Sequence, residues 1–340
     1  RAEQALSHRG VIVREAAVRA RREQRWICTS DGTSVEHDEV ECGGELRAIA
    51  SDGTISQDRT YADAEARGGW EIVERQRLVE EAPRVGEQAA ALLQAPPCPE
   101  GITTVVIAAD QMTSQVHESV GHPTELDRVL GAEAAYAGTS FLAPGDLGSL
   151  RYGSPLMNVT ADPTTPGGLG TFGWDDEGVP AEARPIVRAG LLVGWTGSRE
   201  VGHPGSMRAD GWSRMPLVRM TNLHLDPGEG TLGELLEGAG EGIYLETNRS
   251  WSIDDKRLNF QFGTQCAWEI TGGRLGRLYR DATYTGVTPA FWGSLDAVAG
   301  PEEWRLFGVT NCGKGQPGQV ARVSHGAAPC RFRDVQVGAA

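Results

Sequence analysis

The sequence predicts an α+β protein of antiparallel and mixed β-sheets with few helices, in which a metal-binding motif lies on a helix that follows a buried strand. Three observations lead there. Residues 11–61 alternate apolar and polar side chains between Asp31-Gly32 and Asp52-Gly53 turn signals. Glycine and proline punctuate short apolar segments from Leu156 to about Leu225. A β-branched apolar run, Thr103 to Ala108, leads into Val116-His117-Glu118-Ser119-Val120-Gly121-His122.

Taken in order, alternations such as Ala16-Val18-Ala20 and Trp26-Cys28 predict an antiparallel sheet from Val11 to about Tyr61. Helical spacing runs from about Gly69 to Gln94 and ends in Val85, Ala89, Leu92 and Leu93, with Pro83 placed to kink or split it. Ala95-Pro96-Pro97-Cys98-Pro99 is a stiff linker and the best domain boundary. Beyond it, Thr103–Ala108 is a buried strand that places the motif helix. Pro185–Arg188 and Leu191–Trp195 read as short strands, Leu232–Gly240 as a helix, and Ile253–Ile270 and Arg274–Tyr279 as further strands. Phe260, Phe262 and Trp268 fall on one face, which predicts core, with Gln261 and Gly263 opposite.

Composition bounds the function. The 340 residues suffice for two domains, and 39% hydrophobic content excludes gross disorder. A formal charge of −14 disfavours non-specific nucleic-acid binding. Residues 1–25 hold seven arginines against three glutamates, a solvated strand or helix face in this reading. No apolar run approaches the roughly 18 residues of a membrane span, and the start lacks a signal-peptide pattern, so the expectation is a cytoplasmic protein with no membrane partner. Six scattered cysteines without a C-x-x-C pair fit a reducing compartment better than a disulfide framework.

The motif carries the chemistry. Zinc-peptidase helices space two histidines four apart, which puts both on one face. Here His117 and His122 are five apart, and at about 100° per residue they would point roughly 140° from each other on a straight helix. Geometry closes only if the helix widens into a π-type turn or unwinds at Gly121. Pro123 disfavours helix at His122, so the helix is expected to end or distort there and bring His122 beside His117. A chance H-E-x-x-x-H is expected at a frequency of about 0.01 in such a chain. The competing reading is a buried histidine pair or a purely structural site. Glu118 favours catalysis, because it sits beside His117 yet points away from it, as a general base next to a metal must.

A catalytic zinc takes three protein ligands and leaves a fourth position for water. Candidates for the third are His203, His224, His325, Glu125, Asp127 and the cysteines. Cys312 stands out in Thr310-Asn311-Cys312-Gly313-Lys314-Gly315-Gln316-Pro317-Gly318-Gln319, read as a glycine-rich loop with an accessible thiol. Lys314, one of two lysines against thirty arginines, is placed to favour its thiolate. Glu125 or Asp127 could orient an imidazole ring of the motif by accepting its second N–H. For an oxyanion, Arg219 and His224 are weak candidates.

The order of His117-Glu118-x-x-Gly121-His122-x-x-Glu125-x-Asp127, Pro216-x-x-Arg219-Met220-Thr221-Asn222, Gly242-Ile243-Tyr244 and Cys312-Gly313-Lys314-Gly315-Gln316-Pro317 resembles the TldD/PmbA family of metallopeptidases, in its metal-bearing TldD type. The resemblance implies that His117, His122 and Cys312 hold zinc (Zn2+) and that Glu118 is the catalytic base. It implies peptide or unfolded-protein substrates, with maturation of modified-peptide precursors among the possible roles, cut within a homodimer or a heterodimer with a metal-free homologous subunit. Family members carry a longer N-terminal region, and this chain begins at Arg1. Residues 1–95 are therefore expected to be the C-terminal part of an α/β N-terminal domain, and 100–340 the β-rich catalytic domain. The stretch Gly205–Trp212 departs from the family's glycine-rich pattern, which bears on substrate choice. Two other readings remain at this stage: a metal-dependent amidase or hydrolase of a small molecule, and a non-catalytic binding subunit.

Overall fold

The computed structural model describes residues 1–61, 65–136 and 138–339. Strands Val11–Cys28, Ser34–Ser51 and Ser56–Tyr61 form consecutive antiparallel pairs. The turns between them carry Gly32 and Gly53 at positive φ, as the Asp-Gly signals predict. Ala16, Val18, Ala20 and Trp26 occupy the exposed face of the first strand together with Arg14 and Arg22, whereas Arg19, Arg21 and Arg25 alternate onto the opposite face, where Arg25 pairs with Asp176. The other side of the sheet receives the helix Leu78–Gln94, whose Ala82, Val85, Ala89 and Leu92 are buried. A shorter helix, Trp70–Arg75, precedes it. The break between the two falls at Arg77, in the left-handed region at φ 50°, and not at Pro83, which sits exposed inside the longer helix.

The larger core gathers residues between Cys98 and Val337. Its frame is a seven-stranded sheet in which five strands close on themselves. Gly101–Ile107 pairs with Gly242–Ile253 on one side and Cys330–Ala339 on the other. Ala282–Val287 and Asn259–Thr271 complete the ring back to Gly242–Ile253. Inside lie Phe262, Tyr284 and Phe332, each fully buried, and burying one such aromatic side chain contributes roughly 1.5–3 kcal/mol. The expected strand Ile253–Ile270 starts at Asn259 instead. Asp254 accepts the backbone N–H groups of Leu258 and Asn259 and so makes residues 254–258 a turn. The strand before that turn, Gly242–Ile253, was not expected as one.

Phe260 and Phe262 are core as expected, but Gly263 and Gln265 opposite are buried too. The N-terminal sheet covers them: Gln265 accepts the Thr60 N–H at 2.8 Å, and the buried Arg59 guanidinium bonds Thr247 and Glu246. A second, six-stranded sheet runs in the order Arg305–Lys314, Gln319–Ala327, Leu223–Leu225, Val159–Ala161, Arg184–Arg188, Leu191–Leu192. Leu232–Ala239 is helical and opens on a capping box between Thr231 and Glu234. Among the described residues no helix is long and apolar enough to cross a membrane.

Candidate metal centre

Strand Gly101–Ile107 ends at Ala108 and turns directly into the helix Ala109–Val116. That helix widens to a π turn over His117–Gly121, then tightens to a 3-10 turn at His122–Thr124. The His122 N–H bonds the His117 carbonyl, an i to i+5 bond that brings the two rings to 4.8 Å between centroids. The extra residue of the motif is thus absorbed in the helix, as its spacing requires. The widened turn leaves carbonyls that side chains must satisfy. Tyr152 Oη donates to the Ser119 carbonyl at 2.5 Å and Thr124 Oγ1 to the Val120 carbonyl at 2.8 Å. Gly121 has ordinary helical angles, so its value is space rather than backbone freedom: a Cβ there would lie 2.0 Å from Met220 Sδ. Because Met220 is itself buried against Cys312, Gly121→Ala is expected to cost about 1–3 kcal/mol through overpacking. A denaturant melt checks this.

Cys312 is on a strand, not in a loose loop, and it is buried. The hairpin Arg305–Lys314 with Gln319–Ala327 shifts register between Val309 and Cys312. Such a bulge re-aims the side chain that follows it. Sγ then lies 3.7 Å from His122 Nε2, and the ligand atoms of His117, His122 and Cys312 all fall within 4.8 Å of one another. Tetrahedral zinc with N at 2.0–2.1 Å and S at 2.3 Å separates its ligands by about 3.3–3.6 Å. The donor set and spacing fit such an ion with small adjustments. Burial alone would raise the Cys312 pKa, but His122 and Arg219 overcome it and hold the thiol below its usual value. Lys314 does not serve this purpose. Its ammonium is buried against Asp127 (2.8 Å), the Val218 carbonyl (2.8 Å) and Glu125 (3.4 Å).

The remaining candidates take other places. Glu125 accepts from His122 Nδ1 at 2.9 Å, and that bond turns His122 Nε2 toward Cys312. Burial would raise the Glu125 pKa, but Lys314, His122 and Arg128 hold it well below the carboxylate range. Asp127 orients no imidazole; it pairs with Lys314 instead. His325 stands behind His117, with Nε2 2.6 Å from His117 Nδ1 and Nδ1 3.1 Å from the Leu223 carbonyl. A carbonyl can only accept, so His325 carries its proton on Nδ1, accepts from His117 Nδ1–H, and leaves His117 Nε2 free for a metal. His224 bonds Thr165 and the Gly326 N–H, and burial lowers its pKa to about 4. Arg219 is spent on the carbonyls of Gln319 and Cys312. His203 is not part of the cluster.

A cavity of about 430 Å³ opens on the centre, lined by His117, Glu118, His122, Trp251, Arg257 and the strand Gly308–Gly313. Sequence reasoning missed Arg257, whose Nη1 donates to Glu118 Oε2 at 2.6 Å. Burial would raise the Glu118 pKa, yet His122, His117 and Arg257 hold it below the usual value. Glu118 is therefore a carboxylate at neutral pH.

Two buried imidazoles, a thiol of lowered pKa and a carboxylate facing one cavity are the chemistry of metal-dependent hydrolases. Comparison with known proteins narrows the class. The family model for the PmbA/TldA metallopeptidase C-terminal domain matches residues 100–339, and that for the central domain matches residues 1–95. The chain belongs to this family, the TldD/PmbA metallopeptidases. A metalloprotease of Methanothermobacter thermautotrophicus is 31% identical over 314 residues, which cover 91% of this chain and 66% of that protein. A zinc metalloprotease TldD homolog of Saccharolobus solfataricus is 25% identical over 241 residues, 69% of this chain and 51% of that protein. The chain thus spans less than two thirds of these relatives. A Thermotoga maritima crystal structure, named for modulation of a DNA gyrase, superposes with a TM-score of 0.77 at 19% identity, covering 99% of this chain and 72% of that one. At that identity the match speaks for the fold alone.

Proposed function

We propose that this chain carries the centre of a zinc-dependent peptidase acting on peptides or unfolded protein segments. The observation that supports it most is the convergence of His117, His122 and Cys312 beside the ionised Glu118 on one cavity. His117 Nε2, His122 Nε2 and Cys312 Sγ would hold the ion. When bound, zinc would supply a Lewis acid and lower the pKa of its water to about 7. Glu118 takes the proton of the attacking water and passes it to the leaving amine. His325 and Glu125 fix the tautomers of the two ligating rings. Replacing His325 by Ala is expected to weaken zinc binding about 10–100-fold, read by competition with a chromophoric chelator.

An extended substrate is favoured by the surroundings of the site. A second cavity of about 600 Å³ shares Ser114, Gly308 and Val309 with the first, and the strand Arg305–Lys314 between them is at a sheet edge. A peptide can add to such an edge through its backbone, which binds many sequences. In this reading residues 100–340 are the catalytic unit, residues 1–95 pack beside it, and the assembly is a homodimer or a heterodimer with a metal-free homologous subunit in the cytoplasm. Rates of zinc-loaded protein on peptides of rising length test the substrate class. The expected result is a rate that climbs with length until both cavities are filled. A length-independent rate on small amides would favour the small-molecule hydrolase instead.

A further inference from the structure

Arg257 is on the turn between the strands Gly242–Ile253 and Asn259–Thr271, with φ 61°. A non-glycine residue in that region is uncommon and requires support. The Arg257 N–H donates to the Asp254 carbonyl at 2.9 Å, and its own carbonyl accepts from Thr288 Oγ1 at 2.9 Å. The backbone is thus pinned so that the guanidinium enters the metal cavity. There its Nη1 bonds Glu118, while Nη2 makes no hydrogen bond among the described residues. The guanidinium thus keeps a donor to spare beside the proposed base, on the side chain that lines the cavity.

We infer that Arg257 is a catalytic residue whose guanidinium binds the oxyanion formed when the scissile carbonyl is attacked. The inference rests on the peptidase reading. Water oxygen bonds to the carbonyl carbon, the C=O π pair moves onto the carbonyl oxygen, and the water proton goes to Glu118. Collapse returns that pair, breaks the C–N bond and transfers the proton from Glu118 to the departing nitrogen. Negative charge therefore leaves Glu118 as it appears on the substrate oxygen. A guanidinium already paired with Glu118 exchanges one partner for the other at that moment, so its interaction with substrate is strongest in the transition state. The sequence-level candidates for this role, Arg219 and His224, face elsewhere.

Arg257→Gly keeps the turn, because glycine adopts positive φ without strain, and zinc content should match wild type. The expected loss is about 10²–10³-fold in kcat with little change in KM, partly restored by added guanidinium ion. Binding of a phosphinic peptide, a tetrahedral anion, should weaken by a similar factor by calorimetry, while the matching substrate peptide binds Glu118→Gln and the double variant Glu118→Gln/Arg257→Gly equally. A fully active Arg257→Gly overturns the inference. So does a loss confined to KM for peptides with a free C-terminal carboxylate, which would make Arg257 a carboxylate anchor. A wild-type protein that cleaves no peptide removes the parent reading and this one together.

Discussion

Cys312→Ala is expected to release the metal and abolish peptide cleavage. The side chain is buried, and its sulfur is 3.7 Å from His122 Nε2 at the end of a re-aimed strand. Little else in the chain can substitute. His325 Nε2 is committed to His117, and Glu125 to His122. Structural zinc sites with four ligands bind with about 10–16 kcal/mol, or about 3 kcal/mol per ligand, so removing one costs about 10²-fold in affinity. Alanine leaves a small void beside Met220 and Val323, and the apo protein should melt close to the wild-type apo form. Metal content after dialysis against a weak chelator reads the first effect, and hydrolysis of an unfolded protein the second. A variant that keeps stoichiometric zinc would exclude Cys312 from the ligand set.

Glu118→Gln separates binding from chemistry. Its carboxylate contacts Arg257, not the imidazole ligand atoms, and glutamine retains an acceptor for that guanidinium. Zinc affinity should change by no more than a few-fold. Cleavage should fall by about 10²–10⁴, the usual contribution of a positioned general base. Single-turnover kinetics with equal zinc loading check this. Retained cleavage would move the proton transfer to another group.

Much of the centre was readable before any coordinates, for local reasons. A five-residue histidine spacing followed by Pro123 is satisfied by very few backbones, and the π turn at His117–Gly121 is one of them. Helix Leu78–Gln94 and the hairpin turns at Gly32 and Gly53 are likewise set by nearby residues. What escaped depends on pairing between distant strands. His325 reaches His117 only because Gln319–Ala327 runs parallel to Leu223–Leu225 and aligns His325 with Leu223. Arg257 faces Glu118 only once the ring of strands has closed. Lys314, next but one to Cys312, shares its strand face, yet its longer side chain ends on Glu125 and Asp127 instead of acting on the thiol. The middle of the outer face of Asn259–Thr271, around Gln265, is buried for a similar reason, since the N-terminal sheet covers it.

The central claim is that a thiol 190 residues from His122 joins the two motif rings around one ion. X-ray absorption at the zinc edge of the metal-loaded protein measures that directly. The account predicts a single sulfur at about 2.3 Å and nitrogen or oxygen neighbours at about 2.0–2.1 Å, with the sulfur shell absent from Cys312→Ala loaded at a zinc concentration that offsets its weaker binding. A wild-type spectrum with only nitrogen and oxygen neighbours would contradict it.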